Sequence, residues 1–179
     1  AGVAENIPNL DMMNGDAVLG FVRDREIDLV VIGPEAPLVA GVADSLRAAG
    51  IPVFGPNAEG AQLEGSKDYS KKFMGDNDIP TAAYATFTEC EPALAYVREQ
   101  GAPIVIKADG LAAGKGVVVA ETLEDAEEAV RNCFDGAFGA AGSKVVIEEC
   151  MTGPECSLLA FVSNGKAHCM APAQDHKRA

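Results

Sequence analysis

The chain has 179 residues, 14 Lys and Arg against 27 Asp and Glu, and a formal net charge of −13. That balance argues against general nucleic-acid binding and against docking on an anionic membrane, because both need basic patches. At 48% apolar and 6% aromatic residues it has the profile of an α/β protein, long enough for one ordinary domain or two small ones.

Asp16 to Arg25 carries apolar residues at Ala17, Val18, Phe21 and Val22, a helical stripe. The run Ile27-Asp28-Leu29-Val30-Val31-Ile32 follows, short and β-branched, and stops at Gly33-Pro34. Leu38, Val42 and Leu46 recur every four residues and predict one helix, with Gly50 as its C′ stop. Ile51 to Phe54 predicts a second strand, ending at Gly55-Pro56. Two nearly all-apolar strands joined by a helix predict a parallel sheet covered on both faces. Ligands of such sheets gather at the carboxyl ends of the strands, here at Gly33-Pro34-Glu35 and Gly55-Pro56-Asn57. The fold class is therefore α/β, a doubly wound parallel-sheet piece.

From Thr81 the rhythm changes. Thr88-Glu89-Cys90-Glu91 has a capping-box pattern opening a helix that Gly101 closes. A strand (Ile104 to Lys107), a glycine-rich loop (Gly110 to Gly116) and a second strand (Val117 to Ala120) follow. Thr122 caps a further helix with an acidic first turn, expected to bury Leu123, Ala126, Val130 and Phe134. Val145 to Glu149 predicts another strand. Glu155 to Val162 and Lys166 to Met170 predict a hairpin through Asn164-Gly165. A small α+β unit is thus expected after the doubly wound piece.

Cys90, Cys133, Cys150, Cys156 and Cys169 form no C-x-x-C pair and no zinc spacing, and read as thiols of a reducing cytoplasm. No apolar run reaches the length of a membrane span, and no signal peptide is evident. The chain opens on Ala1-Gly2 without an initiator Met, as a piece of a longer protein would.

Three clusters carry candidate chemistry. In Lys107-Ala-Asp-Gly110-Leu-Ala-Ala-Gly114-Lys115-Gly116, three glycines and two lysines can wrap backbone N–H groups and ammonium charge around phosphates. It is not a Walker A loop, which needs Gly where Asp109 stands and Ser or Thr where Gly116 stands. A P-loop also opens a helix, whereas this loop runs into Val117-Val118-Val119. Between antiparallel strands it can serve as a flap over a ligand, or simply as a hairpin with Lys115 in water. Lys107 shares a strand face with Val105, opposite Ile104 and Ile106, and a Lys there is costly unless an anion meets it or it snorkels to water. The second cluster is Glu148 and Glu149 before Cys150-Met151, with Glu155 a turn later. Such a strand end can offer backbone groups to an adenine edge and a carboxylate to ribose hydroxyls, or be a solvated end. The third, Gln174-Asp175-His176-Lys177-Arg178, suits a phosphorylated or carboxylated substrate, or a charged tail.

Gly33-Pro-Glu-Ala-Pro-Leu38, Ala61-Gln-Leu-Glu-Gly-Ser-Lys67, Ile106-Lys-Ala-Asp-Gly-Leu-Ala-Ala-Gly-Lys-Gly-Val117, Ile147-Glu-Glu149 and Gln174-Asp-His-Lys-Arg178 stand in this order along the chain. Together they resemble the glycinamide ribonucleotide synthetase (phosphoribosylamine–glycine ligase) family of the ATP-grasp superfamily, over essentially the whole chain. The resemblance implies an incomplete N-terminal (pre-ATP-grasp) domain at 1–84, an ATP-grasp lid subdomain at 85–155 and the start of the catalytic subdomain at 156–179.

It also implies ATP-dependent ligation of glycine to 5-phosphoribosylamine through a glycyl phosphate, a step of purine biosynthesis in the cytoplasm. The cofactor would be ATP with Mg²⁺ or Mn²⁺, with the metal ligands downstream of this chain, so the piece alone would be inactive. Carried over, Lys67 and Lys107 would meet the ATP phosphates. Gly110, Gly114, Lys115 and Gly116 would belong to the flap, with Lys107 and Lys115 the catalytic pair. Glu148 and the backbone of Glu149 and Met151 would hold adenine, and Glu155 the ribose. Gly33, Pro34 and Glu35, with Asp175, His176, Lys177 and Arg178, would lie toward glycine and phosphoribosylamine. Fusion to or association with other purine enzymes is left open. The alternatives are another ATP-grasp carboxylate–amine ligase and a nucleotide-binding module without catalysis. A nicotinamide oxidoreductase lacks the G-x-G-x-x-G it would need.

Overall fold

Asn14 starts the first helix, its side-chain oxygen accepting from the amides of Asp16 and Ala17, two donors that a helix end leaves orphaned. The computed structural model describes residues 3–110, 116–137, 139 and 143–174. The chain forms two units, Ala1–Glu149 and Cys150–Ala179. In the first, α1 (Gly15–Asp24) buries Val18 and Val22. Strands β1 (Val30–Val31) and β2 (Val53–Phe54) pair in parallel, Val30 opposite Val53 and Val31 opposite Phe54.

Two expectations here are corrected. The pair is parallel, but among the described residues the apolar core packs on one of its faces. Val30, Ile32 and Val53 pack with Val18, Val22, Val42 and Leu46, whereas Val31 is 64% and Phe54 53% exposed. An apolar run shows that both faces can be buried, not that both have partners. The single helix through Leu38, Val42 and Leu46 is two, α2 (Glu35–Val39) and α3 (Val42–Ala48). They divide at Gly41, whose φ of 82° lies in the left-handed region that breaks a helix. All three stripe residues are nonetheless buried. Helices α4 (Ala58–Gly65) and α5 (Lys67–Asp76) occupy a stretch for which no element was expected. Asn57 caps α4 through the Gly60 amide, and Ser66 caps α5 through that of Tyr69.

Strands β3 (Tyr84–Phe87), β4 (Ile104–Ala108), β5 (Val117–Ala120) and β6 (Val145–Glu149) form an antiparallel sheet ordered β3-β6-β4-β5. Helices α6 (Cys90–Gln100) and α7 (Leu123–Asn132) supply Leu94, Val97, Ala126 and Val130 to a core shared with Ile104, Ile106, Val145 and Ile147. The Thr122 cap is present, accepting from the Asp125 amide at 3.2 Å. The N-cap of α6, however, is Glu89 with no side-chain bond, so the expected capping box does not form. Leu123 is 36% exposed rather than buried; it is the first residue of α7, a turn short of the packed stripe. Phe134 is partly buried beyond α7, in a single π-helical turn at Cys133–Ala137. The expected division between Tyr84 and Ala85 falls inside β3.

In the second unit β7 (Cys156–Ser157) pairs with β10 (Ala173–Gln174), and β8 (Ala160–Ser163) with β9 (Lys166–Cys169), both antiparallel. Asn164 and Gly165 turn the hairpin with φ of 50° and 71°, the doubly positive geometry that an Asn-Gly pair favours.

Candidate functional site

Strand register decides which side chains meet. Lys107 stands opposite Val146 and Val117, and Glu148 opposite Val105 and Tyr84. These residues therefore share the sheet face away from the α6–α7 core. On it, Lys107 Nζ lies 2.9 Å from Glu148 Oε1. Helix α5 brings Lys71 to the same carboxylate, 2.9 Å from Oε2. Lys71 also donates to Thr81 Oγ1 at 2.8 Å and to the Ala82 carbonyl at 3.1 Å, and stands 5.4 Å from the Tyr84 ring centroid, a cation–π distance. Lys71 and Glu148 are buried, while 27% of the Lys107 side chain is exposed. The burial penalty on the carboxylate is offset only because cations hold both oxygens.

One turn back along α5, Lys67 Nζ donates to the Gly110 carbonyl at 2.9 Å. Asp109, also buried, accepts from Ser66 Oγ at 3.1 Å and from the Asp68 amide at 3.2 Å. The start of α5 is thereby fastened to the residue before the glycine loop. Lys144 reaches Asp68 at 2.8 Å and Asp109 at 3.7 Å, and Thr86 Oγ1 donates to Asp68 at 2.8 Å. The hydrogen bond from Lys144, joined by that from Thr86, holds the Asp68 carboxyl below its ordinary range despite partial burial. The same bond raises Lys144.

Lys67, Lys71, Lys107 and Glu148 line a cleft of about 520 Å³, together with Glu35, Gly110 and Gly116. The structure thus brings together five of the expected ATP-side residues, Lys67, Lys107, Gly110, Gly116 and Glu148, with Glu35 from the expected substrate side. Glu35 reaches the cleft as the first residue of α2, four residues beyond the end of β1. Gly33 and Pro34 lie in the same connection and are exposed, outside the lining. Glu149 ends β6, its amide donating to the Ala83 carbonyl at 2.9 Å and its carboxylate accepting from the Ala83 amide at 3.3 Å. Met151 and Glu155 belong to the second unit. Gly114, Lys115, Asp175, His176, Lys177 and Arg178 lie outside the described residues.

Sequence reasoning missed Lys71, Ser66, Asp109 and Lys144. The signal for Lys71 was available: it follows Lys67 by four residues, one helical turn, behind a Ser that can cap. Chemically, the cleft offers lysine charge and glycine backbone at one place. That combination suits an oligophosphate, whose transfer asks for positioning and neutralised charge more than for covalent chemistry.

Residues 65–179 match the family described as phosphoribosylglycinamide synthetase, ATP-grasp (A) domain, and residues 1–64 the N domain of the same synthetase. The phosphoribosylamine–glycine ligase of Vibrio cholerae serotype O1 is 57% identical over 95% of this chain and 40% of its own length. That of Escherichia coli K12 is 59% identical over 90% of this chain and 38% of its own. The chain thus spans about two-fifths of the length of these relatives. Among solved structures, the phosphoribosylamine–glycine ligase of Thermotoga maritima superposes with a TM-score of 0.71 at 30% identity, over 92% of this chain and 40% of that one. The N5-carboxyaminoimidazole ribonucleotide synthetase of Thermus thermophilus gives 0.69 at 22% identity, over 92% and 42%, a likeness of fold.

Proposed function

The chain belongs to the phosphoribosylglycinamide synthetase family, and we propose that it forms the ATP-phosphate side of an ATP-dependent ligase joining glycine to 5-phosphoribosylamine. The observation that carries this reading is the convergence of Lys67 and Lys107 on one cleft whose lining includes Gly110 and Gly116, the two ends of the glycine loop.

A carboxylate is a poor electrophile toward an amine. Transfer of the γ-phosphoryl group of ATP to the glycine carboxylate gives an acyl phosphate and ADP. The amine of 5-phosphoribosylamine then attacks the acyl carbon, and inorganic phosphate leaves. In this chain Lys67 and Lys107 would hold the phosphates, and the loop from Gly110 to Gly116 would close over them and keep water from the acyl phosphate. Lys67 now holds the Gly110 carbonyl, so an arriving phosphate would compete for that ammonium. By the same family resemblance, Glu148 and the backbone of Glu149 and Met151 would hold adenine, and Glu155 the ribose. Glu35, at the cleft, and Asp175 to Arg178 would serve the glycine and phosphoribosylamine side. The divalent ion implied by the resemblance finds no ligand set of three or more His, Cys, Asp or Glu among the described residues; what they offer is lysine charge. The five cysteines are unpaired, which suits a reducing cytoplasm.

Calorimetric titration of the chain with ATP, ADP and adenosine tests the phosphate assignment. ATP is expected to bind and adenosine to bind far more weakly; equal affinities would refute it. Lys107→Ala should weaken ATP binding by about 1.5–3 kcal/mol, the range of a charge-assisted contact. Lys115→Ala should cost less, because β4 fixes Lys107 while backbone donors of the loop can replace Lys115. For the reaction itself, a polypeptide completed to the relatives' length should release ADP only when both glycine and 5-phosphoribosylamine are supplied.

A further inference from the structure

Lys71 has no task in the reading above, although it lines the same cleft and is 5% exposed. An ammonium has three N–H donors. Those of Lys71 go to Glu148 Oε2, Thr81 Oγ1 and the Ala82 carbonyl. None is left for a ligand. Lys107 differs: among the described residues its protein acceptor is Glu148 Oε1 alone, and its side chain is partly open to the cleft.

We propose that Lys71 is a positioning residue for phosphate binding: by holding one oxygen of Glu148, it leaves Lys107 a single tether and two donors to present to a nucleotide phosphate. This rests on the nucleotide reading of the cleft. The charge count explains the effect. Two ammonium groups around one carboxylate leave a net positive cluster at the cleft. Without Lys71, Lys107 and Glu148 form a neutral pair, and a buried carboxylate with a free oxygen draws Lys107 in with more than one donor. A phosphate would then meet neither the charge nor the free N–H groups. If Lys71 merely fastened α5 to the segment at Thr81 and Ala82, its loss would lower stability and leave the affinity of the folded protein unchanged.

The experiment is calorimetric titration of the chain with ATP for wild type, Lys71→Met, Lys71→Arg, Glu148→Gln and the double variant Lys71→Met/Glu148→Gln, with folding followed by circular dichroism. Lys71→Met is expected to weaken ATP binding about tenfold or more, the scale of one charge-assisted contact. Adding Glu148→Gln should restore most of that loss, because no carboxylate then competes for Lys107 and the cluster is again singly positive. Lys71→Arg, which keeps the charge, should stay within roughly threefold of wild type. Inorganic tripolyphosphate, which has no adenine for Glu148 to meet, is titrated beside ATP; a double variant as weak toward it as Lys71→Met, or weaker, would overturn the proposal. ATP affinity unchanged in Lys71→Met would overturn it too while leaving the nucleotide reading standing; a wild-type chain that binds no ATP would remove both. Should Lys71→Met not fold, the two charge-balanced proteins decide: binding by both Lys71→Arg and the double variant supports the proposal, and loss in either sinks it.

Discussion

The first unit contains two sheets that use their second faces differently. In the four-stranded sheet one face packs on α6 and α7, while the other carries Lys107 and Glu148 and is met by Lys71 and Asp68 from α5. In the β1–β2 pair one face packs on α1 and α3, and on the other Val31 is 64% and Phe54 53% exposed. Where α5 meets it, the second face of the four-stranded sheet carries charges; at its β5 edge Val117 and Val119 are 44% and 41% exposed, apolar side chains in water like those of the pair. Exposed charge is screened by water and contributes little, whereas a carboxylate clamped between lysines under a helix keeps its geometry and can set what a neighbouring lysine does. Burial of the polar face thus converts ordinary Lys and Glu residues into a site.

The sharpest way to break this contrast is to strand the clamp. Glu148→Leu should destabilise the chain by about 3–5 kcal/mol in urea unfolding, because it leaves Lys71 charged and buried beside an apolar group. Lys71→Met added to Glu148→Leu should recover much of that loss, since a buried pair exchanged for apolar residues is often tolerated. If Glu148→Leu alone proves neutral, the charged face is not the organised element described above. The neighbouring position reports the other face. Ile147 is fully buried in the α6–α7 core, and Ile147→Val should cost about 0.5–1.5 kcal/mol, with no second substitution on the charged face restoring it.

Acid titration separates two half-buried carboxylates by the pH at which each gives up its cation. The Asp68 carboxyl is lowered from 3.8, first by its bond to Lys144. Its contribution to stability is therefore present above 3.8 and is lost as pH falls through the lower folded value. Glu127, bonded to Arg98 and Arg131, is lowered from 4.5 to about 2. Its contribution disappears between those values. Both carboxylates are half-buried, the Glu127 side chain 20% and that of Asp68 34% exposed, so burial does not separate them and the span of titration does. In urea unfolding at acid pH, Glu127→Gln should make the loss of stability shallower over the whole interval from 4.5 down to about 2. Asp68→Asn should do so only below 3.8. Lys144, raised by the same bond, acts at the other end, its stabilisation present below 10.5 and lost as pH rises through its higher folded value.

Much of this was legible in the sequence, and what was not has a physical pattern. Strands β4, β5 and β6 follow from β-branched runs bounded by glycine and acidic residues, and the alternation in Ile104 to Lys107 correctly put Lys107 on the face away from the core. The Asn164-Gly165 turn is local chemistry and was readable for that reason. By contrast, α4 and α5 are weakly patterned: α5 buries only Lys71 among its residues, so no apolar stripe announces it. Lys71 and Lys72 are adjacent lysines, and nothing local says that one is clamped under the sheet while the other pairs with Asp76 in water. That distinction comes from strand register across residues far apart in the chain. The open face of β1 and β2 was equally hidden, because apolar content records the capacity for burial and not the presence of a partner.

The smallest expected effect lies on that open face, between two adjacent residues of one strand. Val30 and Val31 are neighbours in β1, yet Val30 packs with Val18, Val22, Val42 and Leu46 while Val31 is 64% exposed. Area removed from water sets the apolar contribution, so the same side chain should matter less at Val31. Val31→Thr is expected to change unfolding stability by no more than about 0.5 kcal/mol, the usual range for surface positions. Val30→Ala should cost about 1–2 kcal/mol for two partly buried methyl groups. Chemical denaturation of the two variants side by side decides the matter. A larger loss for Val31→Thr would show that its side chain is covered in solution and that the second face of β1 and β2 is closed after all. The difference between the two sheets would then be one of chemistry alone, not of burial.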